Sequence, residues 1–196
     1  MRRRLAQLTG AILGLAVIAY PVAVYAGLRQ FGPRTAALVL LALFVPAAIV
    51  RVAKLKSEKL STLAFLPLVT VGLLTVSALL DAGGFILAVP TVMNLLLLVA
   101  FGSTLRYGPP MIERFARLQE PDLTPEKVRW CRTWTCIWCG FFVVNGGLAA
   151  ILAVAAPLEV WTAYTGLVAY GLMGVLFAVE WTLRRLRFGG AVEVSR

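Results

Sequence analysis

Six uncharged stretches divide this chain: Leu5–Leu28, Thr35–Val50, Leu60–Leu80, Ala82–Leu105, Thr133–Leu158 and Val160–Val179. Their apolar residues follow neither the alternation of a strand nor the one-sided stripe of a soluble helix; the runs are apolar all round. A helix needs about 20 such residues to cross about 30 Å of hydrocarbon, and five stretches reach that length. Thr35–Val50 is shorter and predicts a span that borrows Arg51 to Ala53, with the Arg51 guanidinium reaching back to the headgroups. The pattern predicts an all-α fold, a polytopic membrane bundle of six helices forming a single integral domain over 1–196. The spans cover about 5–28, 35–53, 60–80, 82–105, 130–157 and 159–183, and an interfacial loop covers 106–129.

The polar gaps set the orientation. Of the 19 basic residues, 17 fall in alternate gaps: the N-terminus, 51–59, 106–132 and the tail. Basic residues gather on the cytoplasmic side of membrane proteins, so both termini are predicted to be cytoplasmic. A charged fraction of 14%, against about 25% in soluble domains, agrees with a bilayer environment. The formal charge of +10 flanks apolar spans instead of forming a groove, which points to lipid headgroups and away from nucleic acid. Arg2–Arg4 followed by an apolar run and Val24-Tyr25-Ala26 has some features of a signal peptide. Its 24-residue run exceeds the usual 7–15 residues, so the first span is expected to be retained.

Residue types exclude several chemistries. No histidine is present, which removes a Ser-His-Asp triad and His-ligated haem from this chain. Cys136 and Cys139 form a C-x-x-C on a membrane helix, where the strand-to-helix turn of a thioredoxin site is missing. With Cys131 they make no convincing zinc set. No metal or other cofactor is expected. The default role of the cysteines is that of small apolar residues.

Inside the spans, polar residues are few. Asn94 and Asn145 sit mid-span and are expected to hydrogen-bond across helices or, alternatively, to line a substrate path. Pro21, Pro46, Pro67 and Pro90 place one proline in each of the first four spans, tolerable where neighbours satisfy the freed carbonyls. Tyr164 and Tyr170 read as packing residues. Glu180 and Arg184, four apart, are expected to form a local ion pair.

The gap between spans four and five is the richest in candidates. After Tyr107-Gly108-Pro109-Pro110, the apolar residues Met111, Ile112, Phe115 and Leu118 share one helical face. They predict a short amphipathic helix, with Pro110 in its first turn, lying in the headgroup plane. Thr124-Pro125-Glu126 then reads as N-cap, first position and favourable first-turn acid. The helix it opens meets no breaker until Pro157, a length of about 48 Å. About three turns therefore project beyond the hydrocarbon, carrying Trp130, Trp134 and Trp138 as an aromatic belt. Candidate binding or catalytic residues in this region are Arg106, Glu113, Arg114, Arg117, Asp122, Glu126, Arg129, Trp130 and Trp134, with Asn94 and Asn145 deeper in the membrane.

The run Phe101–Arg132, with its core GPPMIERFARLQ, the following PDLTPE and the later WCGFFVVNG, resembles a family of small bacterial inner-membrane proteins. Members of that family are encoded with aryl polyene (xanthomonadin-type) pigment biosynthesis genes. The resemblance covers about a quarter of the chain and supplies no catalytic residues. It implies a role at the bacterial inner membrane: holding hydrophobic acyl or polyene intermediates, or docking soluble partners such as acyl carrier protein. Acyl carrier proteins are acidic, and six basic residues between Arg106 and Arg132 offer complementary charge, tempered by four acids to a net +2. Some members carry the name ketosynthase. That reaction uses a cysteine with two histidines in a soluble fold, and this chain has no histidine. A polyene-lipid transporter and an integral acyl- or glycosyltransferase are the alternatives. In the latter Glu113, Asp122 and Glu126 would be the acids, and Arg114 or Arg117 the phosphate ligand.

Overall fold

A computed structural model of the chain describes residues 20–54 and 66–188. All regular structure among them is helical. The elements are α1 (20–30), α2 (Gly32–Lys54), α3 (Leu66–Leu80), α4 (Gly84–Arg106), α5 (Met111–Ala116), α6 (Pro125–Ala155), α7 (Leu158–Ala163) and α8 (Ala169–Phe188). A π-helical turn, Tyr164–Val168, joins α7 to α8. Among the described residues, three helices are long and apolar enough to cross a membrane: Gly84–Arg106, Pro125–Ala155 and the continuous Leu158–Phe188. The apolar parts of α2 and α3, Gly32–Pro46 and Leu66–Leu80, are shorter. Most of the span predicted over 5–28 lies outside the described residues.

Two pairings dominate the bundle: α4 packs along α6, and α2 along α3. The face that α6 turns inward holds Cys131, Trp134, Thr135, Trp138, Phe142, Asn145, Gly146 and Ala149. These positions recur at three- and four-residue steps, the spacing of one side of a helix. The opposite faces stay apolar and exposed, as at Val143, Val144, Ile151 and Val154. An apolar exterior around a sparsely polar interior suits hydrocarbon as solvent.

At one end of the bundle α2 and α3 cap each other. The Arg34 backbone N–H, near the start of α2, donates to Asp81 Oδ1 at 2.9 Å. The Arg34 Nε returns a bond to the Ala78 carbonyl in the last turn of α3 at 3.0 Å. Helix ends carry unpaired backbone groups, so this arginine and aspartate satisfy a donor of α2 and an acceptor of α3. Asp81 takes a left-handed φ of 53°, a conformation that Asp adopts more readily than most residues. Gly32, at φ +80°, makes the sharp reversal from α1 into α2 that a side chain would oppose.

The proline in α4 is compensated from another helix. Pro90 has no N–H, so the carbonyl of Ile86, one turn earlier, loses its helical partner. The buried Tyr20 hydroxyl on α1 donates to that carbonyl at 2.8 Å.

Candidate functional site

The loop between α4 and α6 forms an ordered cap on the end of the bundle. Two buried threonines dock it. Thr104 on α4 donates to the Phe101 carbonyl at 2.6 Å and accepts from the Met111 N–H at 2.9 Å. Thr135 on α6 donates to the Cys131 carbonyl at 2.8 Å and accepts from the Ile112 N–H at 3.3 Å. The first amides of α5 have no partners within their own helix, and hydroxyls of the two flanking helices supply them. Neither threonine was a sequence candidate, because a hydroxyl bonded to its own helix resembles any other small residue in an apolar run.

This docking corrects two expectations. The amphipathic helix exists, with Pro110 as its N-cap residue instead of inside its first turn. Its apolar side turns into the protein, where Met111 and Ile112 are buried with Phe101, Cys131, Trp134 and Trp138. Leu118, placed on the same face by sequence, is 64% exposed. The helix ends at Ala116, so the periodicity stops before reaching it. The aromatic belt is also revised. Trp134 and Trp138 are buried in the bundle, because the four-residue spacing that aligned them selects the inward face of α6. Trp130 is half-buried against Trp134 and Phe188, at 5.8 and 5.7 Å between ring centres, with the Arg187 guanidinium 5.5 Å from its ring centre. Thr124 is the N-cap of α6 as expected, accepting from the Lys127 N–H at 3.4 Å.

The charged candidates separate into occupied and unoccupied groups. Glu113 is buried and accepts from Arg117 Nε at 2.8 Å. Arg117 also reaches the Pro121 carbonyl at 2.7 Å. Arg114 Nε donates to the Pro109 carbonyl at 2.9 Å. Lys127 grips Glu120 at 2.6 Å, and Glu126 receives Arg187 from α8 at 2.9 Å. Asp122 is exposed and makes no ion pair among the described residues. Glu113, Asp122 and Glu126 are therefore not drawn into one acidic group: the first is buried on α5 and paired with Arg117, and the third ties α6 to α8. Arg106, Arg129 and Arg132 are exposed, and their side chains form no ion pair among the described residues. α4 and α6 run antiparallel, so the end of one and the start of the other bring all three to the same end of the bundle.

Asn94 and Asn145 meet elsewhere, midway along α4 and α6. Asn145 Nδ2 donates to Asn94 Oδ1 at 3.1 Å, and Asn94 Nδ2 donates to the Pro90 carbonyl at 2.8 Å. The Tyr164 hydroxyl, on the first residue of the π turn, donates to Asn145 Oδ1 at 2.9 Å. The expected cross-helix bonding is present, and Tyr164 is a polar member of the network, not a packing residue. Gly146 makes the approach possible: a Cβ there would lie 2.8 Å from the Asn94 Cβ.

Glu180 also departs from expectation. It is buried, and its Oε2 accepts from Trp138 Nε1 on α6 at 3.2 Å. The predicted ion pair with Arg184 does not form. The carboxylate is bonded instead to Trp138, 42 residues away, a partner that only the tertiary structure reveals. No protein-family model, curated protein or solved structure matches the chain.

Proposed function

We propose that the chain is a six-span protein of the bacterial inner membrane with both termini in the cytoplasm. In this reading it serves aryl polyene-type lipid or pigment biosynthesis. It holds hydrophobic intermediates at the inner leaflet or docks a soluble acidic partner, such as an acyl carrier protein, there. One observation supports the docking part of this reading. The cap between α4 and α6 engages Glu113, Glu120 and Glu126 with its own or α8's cations. Arg106, Arg129 and Arg132 are left uncompensated at its end of the bundle. Charge presented at a rigid surface steers and orients an oppositely charged partner.

The test is charge reversal at these three positions. Arg106→Glu, Arg129→Glu and Arg132→Glu combined should reduce pigment lipid at unchanged protein level. A normal yield removes docking. Gene deletion followed by mass spectrometry of separated membranes tests the wider reading. Truncated or missing pigment supports a role in synthesis; complete pigment trapped in the inner membrane would replace it with transport, and no change would discard the pathway.

A further inference from the structure

Glu180 is the one buried acid on the three long apolar helices, among the described residues. A carboxylate held within apolar surroundings is costly, and such residues mark ligand or ion sites in membrane proteins. Its neighbours do not account for it. The single hydrogen bond, from Trp138 Nε1 at 3.2 Å, comes from a neutral donor and uses one of its two oxygens. That donor is itself set among aromatic rings: Trp138 contacts Phe177, Phe142 and Phe141 at 4.5, 5.9 and 5.7 Å between ring centres.

Three arginines follow on the last turns of α8. Arg185 stacks over Trp181 at 4.1 Å. Arg187 is held by Glu126. Arg184 is half-buried, forms no ion pair among the described residues, and follows Glu180 by four residues on the same helix. A carboxylate oxygen and a guanidinium with unused hydrogen-bonding capacity thus lie one helical turn apart, where the apolar run of α8 ends.

From this juxtaposition we infer that Glu180 and Arg184 form a binding site for a phosphodiester that carries a hydrogen-bond donor. The planar guanidinium suits two phosphate oxygens, and the carboxylate takes an ammonium or hydroxyl of the same group. A phospholipid headgroup and a soluble phosphodiester share this chemistry. The inference is independent of the polyene reading and needs only that α8 lies in a bilayer.

The test uses the full chain in detergent with native mass spectrometry. The probes are phosphatidylethanolamine, phosphatidylglycerol and phosphatidylcholine with matched acyl chains. The first two carry a donor and should bind the wild type more tightly than the third. Glu180→Gln should erase most of that preference, about tenfold for one charge-assisted hydrogen bond. Arg184→Gln should weaken all three lipids and leave their ratio unchanged. Competition by glycerophosphoethanolamine would assign the site to a soluble phosphodiester; its failure to compete, with the lipid preference intact, assigns it to lipid. Equal binding of all three lipids to the wild type overturns the inference, as does a preference that survives Glu180→Gln. If that variant does not fold, Arg184→Gln decides, and unchanged lipid binding would overturn the site.

Discussion

The Tyr20 hydroxyl occupies the carbonyl of Ile86 that Pro90 leaves without a helical partner. A break in the hydrogen bonding of one helix is therefore made good by another. Tyr20→Phe should strand that carbonyl and destabilise the bundle by about 0.6–2 kcal/mol, the range for cross-helix bonds in membranes. Replacing Pro90 by Ala restores the helical donor, so the same Tyr20 change should then cost much less. A double-mutant cycle on unfolding in lipid measures the coupling. Additive losses would show that Tyr20 acts through packing alone.

Gly146 and Gly147 are adjacent and differ in what lies above them. A methyl at Gly146 meets Asn94, whereas one at Gly147 meets nothing within 4 Å. Gly146→Ala should force α4 and α6 apart, at a cost of about 1–3 kcal/mol, and weaken the Asn94–Asn145–Tyr164 network. Gly147→Ala should be near neutral or slightly stabilising, since it removes backbone freedom. Thermal unfolding of the two variants side by side checks this, and equal losses would contradict the close approach.

Arg117 and Arg114 offered equal candidates for partner or phosphate binding, and the structure makes them unequal. Arg117 neutralises the buried Glu113 carboxylate, so Arg117→Ala should loosen the cap by about 1–3 kcal/mol, the cost of an unsatisfied buried acceptor. Glu113→Gln in the same background should recover part of that loss by removing the stranded charge. Arg114, bonded to a loop carbonyl, should matter less. Limited proteolysis within 107–124 reports the opening of the cap; equal protection in both arginine variants would argue against the buried pair.

The six-span topology is testable with single cysteines on a Cys-free background. Positions Arg29 and Arg129 should label with membrane-impermeant maleimide from opposite sides of the membrane. Labelling of both from the same side would break the proposed orientation.

The cap shows how far sequence reached and where it stopped. Thr124-Pro125 marked the start of α6 because capping depends on residue type and on neighbours within one turn. Asn94 and Asn145 were each legible as bonding across helices, because an amide in hydrocarbon has few alternatives; that they bond each other was not. The amphipathic face of α5 was readable as a periodicity, but not what it would touch. Lipid and protein are both apolar, and only tertiary packing distinguishes them. Trp134 and Trp138 were read as a belt facing the headgroups and are buried in the bundle for the same reason.

By itself the sequence determined the all-helical class, the apolar segments and the sorting of basic residues, since these depend on local propensity and on transfer between water and hydrocarbon. Tertiary structure decided which polar groups find partners. Tyr20 reaches a carbonyl 66 residues away, and Trp138 takes Glu180 from 42 residues away. Such pairings depend on how helices cross, and a pattern read along one chain does not contain the crossing.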